Sequence, residues 1–251
     1  MALRRLLVAA VAVGLGTAPA PGRVLAQALQ ITPIQLELTP KAKNAVVTVQ
    51  NLGTEPMRLQ VSAFGWDQGP RGDMKLSRTK DVTFFPGLLT VGPGQRRNVR
   101  VAAATSFGDV EKTYRLFVEQ LPGGPGAAGA SVRVLTRVGI PVYLEPPRPA
   151  RGAELSPVTV EGRKISFVLR NSGNVRIRPE LVKVVGRDQG GQDVFEQQLS
   201  AWYVLAGGER VFETEAPRDG CARVRSVTAE VQVEAAAIEP RVAPADGACG
   251  P

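Results

Sequence analysis

The chain of 251 residues contains no histidine. That one absence removes Ser-His-Asp and Cys-His nucleophilic catalysis together with every histidine-ligated metal site. Cysteine is nearly absent as well: Cys221 and Cys249 are the whole complement, and they form no C-x-x-C pair. No P-loop and no G-x-G-x-x-G stands after a strand, so nucleotide chemistry has no cradle. Aromatic residues make up 5% of the chain, and Lys and Arg are scattered rather than clustered. A nucleic-acid surface wants the opposite, clustered cations interleaved with aromatics. No segment sustains apolar spacing at 3.6 residues, so helices are expected to be short or absent. Outside the N-terminus no unbroken apolar run approaches the about 18 residues of a membrane span. Enzymatic activity is disfavoured, since no spacing nominates a carboxylate pair either. The expectation is no cofactor, no metal, no nucleic acid and no membrane insertion.

What is present begins with a leader. "MALRRLLVAAVAVGLG" places Arg4 and Arg5 before a short apolar run, and "APAPGRVLAQA" carries an A-x-A site at Ala26 and Ala28. This reads as a signal peptide, residues 1–28, cleaved after Ala28. Removing Arg4, Arg5 and Arg23 lowers the formal charge from +8 to +5 and leaves enough chain for two domains of modest core. In an oxidising compartment the two cysteines either pair, pinning the tail to the domain body, or stay as free thiols.

The remainder reads as strands. "QITPIQLELTP", "AVVTVQN", "RLQVSAF", "VTFFPGLLTV", "RNVRVAA" and "TYRLFVEQLP" alternate with a two-residue period, broken at Gly, Pro and Asn. The proline-dense "EPPRPARG" suits a stiff link, and strand-like segments resume beyond it. An internal echo sets "VTVQNLGTEPMRL" against "FVLRNSGNVRIRP", matching Asn51 to Asn171 and Gly53 to Gly173. A second sets "LTVGPGQRRNV" against "WYVLAGGERVF", matching Gly94 to Gly208. The fold class is all-β: two immunoglobulin-like β-sandwich domains. Residues 29–146 form the first domain, 147–152 a linker and 153–251 the second. "RGD" at Arg71–Asp73 is a turn-like tripeptide that chance explains.

One stretch stands apart. "ASVRVLTRVGIPVYLEP" follows the shapeless "PGGPGAAG", and Val132, Val134, Val138 and Ile140 share one face of an extended chain. A strand fed from a loose leader can present an unpaired edge, which is ordinarily a liability. Lent to another polypeptide, its backbone gives affinity and its side chains specificity. An alternating strand facing its own core is the plainer alternative.

"FFPGLLTVGPGQRRNVRV", "TYRLFVEQLP" and "IPVYLEP", in that order behind a signal peptide, resemble the periplasmic pilus chaperones, the PapD-like family. "TYRLF" is most similar to the branch associated with spore-coat-U-like pilins. The resemblance implies two sandwiches in a boomerang arrangement. It also implies a pilus or fimbrial subunit (pilin) held by donor-strand complementation and delivery to an outer-membrane usher in the periplasm, without ATP or metal. Typical members grip the subunit's C-terminal carboxylate with an arginine of the first strand and a lysine late in the donor strand. Here Gln35 and Pro141 fall at those places, and a neutral amide with an imino acid cannot replace two charge-assisted bonds. Arg115 and Arg137 are the candidates for a substitute cation. The resemblance also places Arg100 in an interdomain salt bridge, with Glu119 and Glu234 as acidic partners. The rival reading is a secreted immunoglobulin-like structural or adhesive surface protein with no client subunit.

Overall fold

The computed structural model describes residues 29–122, 134–234 and 238–245. The expected signal peptide, the glycine leader with Val132, and Cys249 lie outside the described residues. The first sandwich contains β1 (Leu29–Thr32), β2 (Leu36–Leu38), β3 (Asn44–Asn51), β4 (Met57–Gln68) and β5 (Met74–Arg78). It continues with β6 (Val82–Phe85), β7 (Leu88–Val91), β8 (Arg96–Ala103), β9 (Lys112–Gln120) and β10 (Arg137–Leu144). One sheet runs β1-β3-β8-β6 and the other β2-β10-β9-β4-β5, with β7 also on β4. The second sandwich contains β11 (Ala153–Leu155), β12 (Thr159–Glu161), β13 (Lys164–Asn171), β14 (Pro179–Arg187), β15 (Asp193–Gln198), β16 (Glu209–Glu215), β17 (Ser226–Val233) and β18 (Arg241–Pro244). Here β13 carries β11 and β12 on one sheet and pairs with β16, while β15-β14-β17-β18 forms the facing sheet. The described residues contain no α-helix; a single 3-10 turn spans Cys221–Arg223.

The two-residue period explains the layering. Tyr114, Leu116 and Val118 of β9 are buried, as are Val47 and Val49 of β3 and Val99 and Val101 of β8, all within one core. Each such side chain contributes about 1.5–3 kcal/mol when fully buried. The second core gathers Ile165, Phe167 and Leu169 against Val182, Val184 and Val231, with Phe167 stacked on Phe212 at 5.2 Å. Cys221 is buried in this core and disulfide-bonded, and Cys249 is the chain's one other cysteine.

The internal echo has a physical basis. Asn51 and Asn171 are both buried at the end of the strand that precedes a tight turn. Asn51 Nδ2 donates to the carbonyls of Glu55 and Val91, and its Oδ1 accepts from the Gly53 amide. Asn171 Nδ2 donates to Val175, Val204 and Leu205, and its Oδ1 accepts from the Gly173 amide. Each asparagine ties the turn after its strand to a neighbouring strand or loop, a satisfied buried polar device.

Candidate functional site

β10 is a strand with one covered edge and one partly open edge. Along its full length it pairs antiparallel with β9, from Arg137 opposite Glu119 to Leu144 opposite Lys112. On its other side β2 covers Val142–Leu144 alone, in parallel register. Among the described residues no strand pairs with Arg137–Pro141 on that side. The carbonyl of Thr136 accepts from the amide of Gln120 on β9. By alternation the backbone groups of Arg137, Gly139 and Pro141 therefore turn outward. Proline, which has no N–H, is tolerated at this edge position.

The row expected to dock as a unit is divided. Ile140 is 0% exposed and belongs to the sandwich's own core, so its assignment as a docking side chain is corrected: the pleat aims it inward with Val142 and Leu144. Val138 is half-buried against the same core. Val134 lies before the strand and is 80% exposed. Val132 is outside the described residues. Gly139 sits opposite Phe117, and a Cβ there would meet that ring at 2.9 Å. The missing side chain lets Phe117 lie across the strand.

Arg115 and Arg137, chosen as substitute cations, occupy different environments. Arg137 is half-exposed, 3.5 Å from Glu119, and stacked at 4.1 Å over Phe117, an already paired surface cation. Arg115, on the same outer face of β9, is 3% exposed. Its Nη1 makes one long bond, 3.4 Å, to the Gly139 carbonyl, while Nε and Nη2 are buried with no partner. Its Cζ lies 3.9 Å from the Trp66 ring and 5.5 Å from that of Trp202. Burial pulls its pKa below the ordinary arginine value, partly opposed by Tyr143 and Tyr203. Gln35, expected beside the carboxylate site, does face this junction: it accepts from the Tyr203 hydroxyl at 3.0 Å and donates to Glu37 at 2.8 Å.

The aromatics around Arg115 join the two sandwiches. Trp66–Tyr143, Tyr143–Tyr203 and Trp202–Tyr203 have ring centroids 6.2, 6.0 and 6.3 Å apart. Leu205 closes the cluster. Trp66 Nε1 and the Tyr143 hydroxyl are also buried without partners. Of the five such atoms in the described residues, four lie in this cleft; buried polar groups are normally satisfied, so each orphan needs a reason.

The interdomain triad expected of Arg100, Glu119 and Glu234 does not assemble. Arg100 is exposed on β8, opposite Val46 and Phe85, in the sheet without the aromatic cluster. Glu119 is taken by Arg137, and Glu234 directly follows β17, its amide donating to the Arg178 carbonyl. The ionic centre is Arg176 instead. Its guanidinium pairs with Glu111 and Glu37, lies 3.6 Å from Glu145, and stacks 3.6 Å over Tyr143. Its amide donates to Glu111 Oε1 at 3.0 Å. Burial raises the Glu111 pKa against the pull of Arg176. A further link comes from the RGD turn at the tip of the β4–β5 hairpin: the Pro70 carbonyl accepts from the Val211 amide on β16 at 2.8 Å.

Sequence reasoning missed Trp66, Tyr143, Trp202, Tyr203, Glu111 and Arg176. A signal existed in scarcity: both tryptophans and two of the three tyrosines meet here. Tyr143 and Trp66 also stand out of phase with the inward rows of β10 and β4.

Comparison with known proteins bears on this arrangement. Residues 28–150 match the family model described as pili and flagellar-assembly chaperone, PapD N-terminal domain. No curated protein sequence matches the chain. Among solved structures, a chain of the CsuC–CsuE chaperone–tip adhesion subunit pre-assembly complex, from archaic chaperone-usher Csu pili of Acinetobacter baumannii, is similar at 17% identity. The match covers 86% of this chain and 97% of that one, with a TM-score of 0.58. A chain of the Salmonella enterica SafA pilin–SafB chaperone complex is similar at 12% identity, covering 86% and 95%, TM-score 0.55. The E. coli chaperone DraB is similar at 17% identity, covering 86% and 95%, TM-score 0.52. At these identities the likeness is one of fold.

Proposed function

The chain belongs to the PapD-like family of pilus-assembly chaperones, and we propose that it works by lending the open edge of β10 to an incomplete pilus subunit. The observation that carries this reading is the uncovered Arg137–Pro141 edge, continued by the exposed Val134. The subunit's strand adds to the backbone groups of Arg137 and Gly139, and its groove takes Val134, Val132 and the exposed flank of Val138. Such β-augmentation needs no ATP and no metal. Immobilising the side chains along the new edge offsets part of the gain, which keeps the complex reversible and allows transfer to an outer-membrane usher.

The subunit's C-terminal carboxylate goes to Arg115. A guanidinium with two unpartnered N–H positions offers the fork that a carboxylate accepts. Gln35 lines the same junction in the arginine's usual place. The signal peptide sends the chain to the periplasm. Residues 29–146 act as the donor domain and 153–251 hold the other wall of the cleft, with 147–152 between them.

The test is co-expression with candidate pilins and affinity capture from periplasmic extract. Val134→Asp and Arg115→Ala each lower the captured pilin by about tenfold or more, the scale of one lost charge-assisted bond or one misplaced charge. Equal capture by both variants and the parent refutes this use of β10 and Arg115, and no pilin captured by the parent favours a surface protein with no client.

A further inference from the structure

The two tryptophans of the chain close on a single guanidinium, yet they are held very differently. Trp66 is a strand residue of the first sandwich, 6% exposed. Trp202 comes from the second sandwich, lies outside any strand between β15 and β16, and is 58% exposed. Trp66 and the fully buried Tyr143 cannot leave without opening a core. The indole of Trp202 has more than half its surface in water already, and its recorded ring contacts are to Tyr203 and to Arg115.

Arg115 is the reason to ask what moves. A guanidinium carries five N–H donors; this one has a single long hydrogen bond and no acidic partner among the described residues. A desolvated charge in that condition is costly, and stacking between indoles offsets part of the cost. Its Nε and Nη2 are sealed from solvent, so no anion reaches them in this arrangement.

We propose that Trp202 is a lid over Arg115: it rests on the guanidinium when the cleft is empty and swings away to admit a carboxylate. The inference rests on the reading of Arg115 as the carboxylate receptor, but concerns access rather than binding. The closed lid hides the cation from small inorganic anions between clients. It favours a ligand that brings an apolar residue beside its carboxylate, because that residue replaces the indole's contacts. The second sandwich thus takes part in recognition through one residue that the donor strand never touches.

The test uses the intact mature protein, an arginine-selective dicarbonyl reagent and peptide mapping. In the parent, Arg115 is protected relative to exposed Arg97. Trp202→Ala raises its modification by about tenfold, the scale of a lost stacking contact, and Trp202→Phe leaves it protected. Arg176, paired with Glu111 and Glu37, stays protected in both, which reports that the fold is intact. Sodium propionate, against sodium chloride at equal ionic strength, then protects Arg115 in Trp202→Ala. An unchanged rate at Arg115 in Trp202→Ala overturns the lid. A raised rate without propionate protection keeps the lid and overturns the carboxylate reading instead. Should Trp202→Ala lose its fold, Trp66→Phe leaves Trp202 as the sole indole emitter. Its emission shifts and its quenching by acrylamide rises on adding propionate if the lid opens, and an unaltered signal overturns the proposal.

Discussion

Replacing Arg176 by alanine removes the one cation among Glu111, Glu37 and Glu145 at the domain junction. Glu111 is the side chain that decides the outcome, because it is 0% exposed while Glu37 is about half-exposed. Breaking a buried pair by deleting one partner costs about 3–5 kcal/mol, since the surviving charge is left dry and uncompensated. The exposed Glu37 contact adds less than about 1 kcal/mol, and the lost stack on Tyr143 about 1–2 kcal/mol. These terms share one guanidinium and do not add. The cost also has a ceiling: if the sandwiches part, Glu111 regains water, so the loss cannot exceed the free energy that holds them together. The expected calorimetric result is therefore a single transition in the parent that splits in two in Arg176→Ala. Burial holds the Glu111 pKa above its unfolded value, and losing Arg176 raises it further. A raised carboxyl pKa contributes stability that is complete below the unfolded value, about 4.3, and is lost as pH rises through the folded value. The deficit measured at neutral pH accordingly shrinks as the buffer is made acidic toward that lower bound. The paired change Arg176→Met with Glu111→Leu recovers most of the loss, as apolar replacements of buried pairs do. A deficit that is the same at both pH values, or that persists in the double variant, refutes this account.

Three other outcomes are expected. Ile140→Ala costs about 2–5 kcal/mol in denaturant melts, whereas Val134→Ala stays within about 0.5 kcal/mol and weakens client capture; the reverse order sinks the division of the β10 row. Asn51→Ala and Asn171→Ala each leave buried carbonyls or amides unpaired, at about 1–3 kcal/mol; placed in the Arg176→Ala background, where the two calorimetric transitions are separate, each should lower its own sandwich's transition alone. Gly72 has φ +84°, and a Cβ there would lie 1.2 Å from Arg210 Nη1. The guanidinium tip can swing aside, but valine rarely adopts that φ, so Gly72→Val should strain the turn and loosen the Pro70 bond to Val211 of β16, read as a new protease cut near residue 72 with the secondary structure unchanged by circular dichroism.

The legible part of this protein is the part written in alternation. Val47 and Val49, Val99 and Val101, and Tyr114, Leu116 and Val118 announce their faces, because half-buried strands repeat every two residues. The Asn51 and Asn171 echo was also readable, since both turns need the same side-chain amide in the same place. Alternation does not say where a core ends along a strand. Val134, Val138 and Ile140 have one phase and three fates, set by how far the facing sheet extends. Nor does it reveal what a second domain brings to a face. Arg115, an outward residue by phase, is buried where Trp66 of its own sandwich and Trp202, some ninety positions later in the chain, both stand over its guanidinium. The interdomain expectation for Arg100 failed for a related reason: a resemblance fixes position along a strand, but not which acidic residues its neighbour offers. Glu111 and Arg176 meet through loops whose spacing carries no period.

The two guanidiniums at the junction carry the argument one step further. Arg176 and Arg115 both rest on the aromatic cluster, one on Tyr143 and the other on Trp66, whose rings are 6.2 Å apart. Two like charges so near one apolar wall are mutually unfavourable, and each is desolvated. Arg176 is compensated within the chain, with three carboxylates around it. If the role of Arg115 were to brace the junction, one acidic residue within its reach would have supplied the same solution. Instead Gln35 spends its carbonyl oxygen on Tyr203. A brace is improved by an internal counter-ion, whereas a receptor is disabled by one, because the internal carboxylate would compete at an effective concentration no external ligand can match. On the reading proposed above, the uncompensated arginine is the one whose partner comes from another polypeptide, and Gln35→Glu, which sets a carboxylate beside this junction at the cost of the bond to Glu37, is the substitution that should lower client capture.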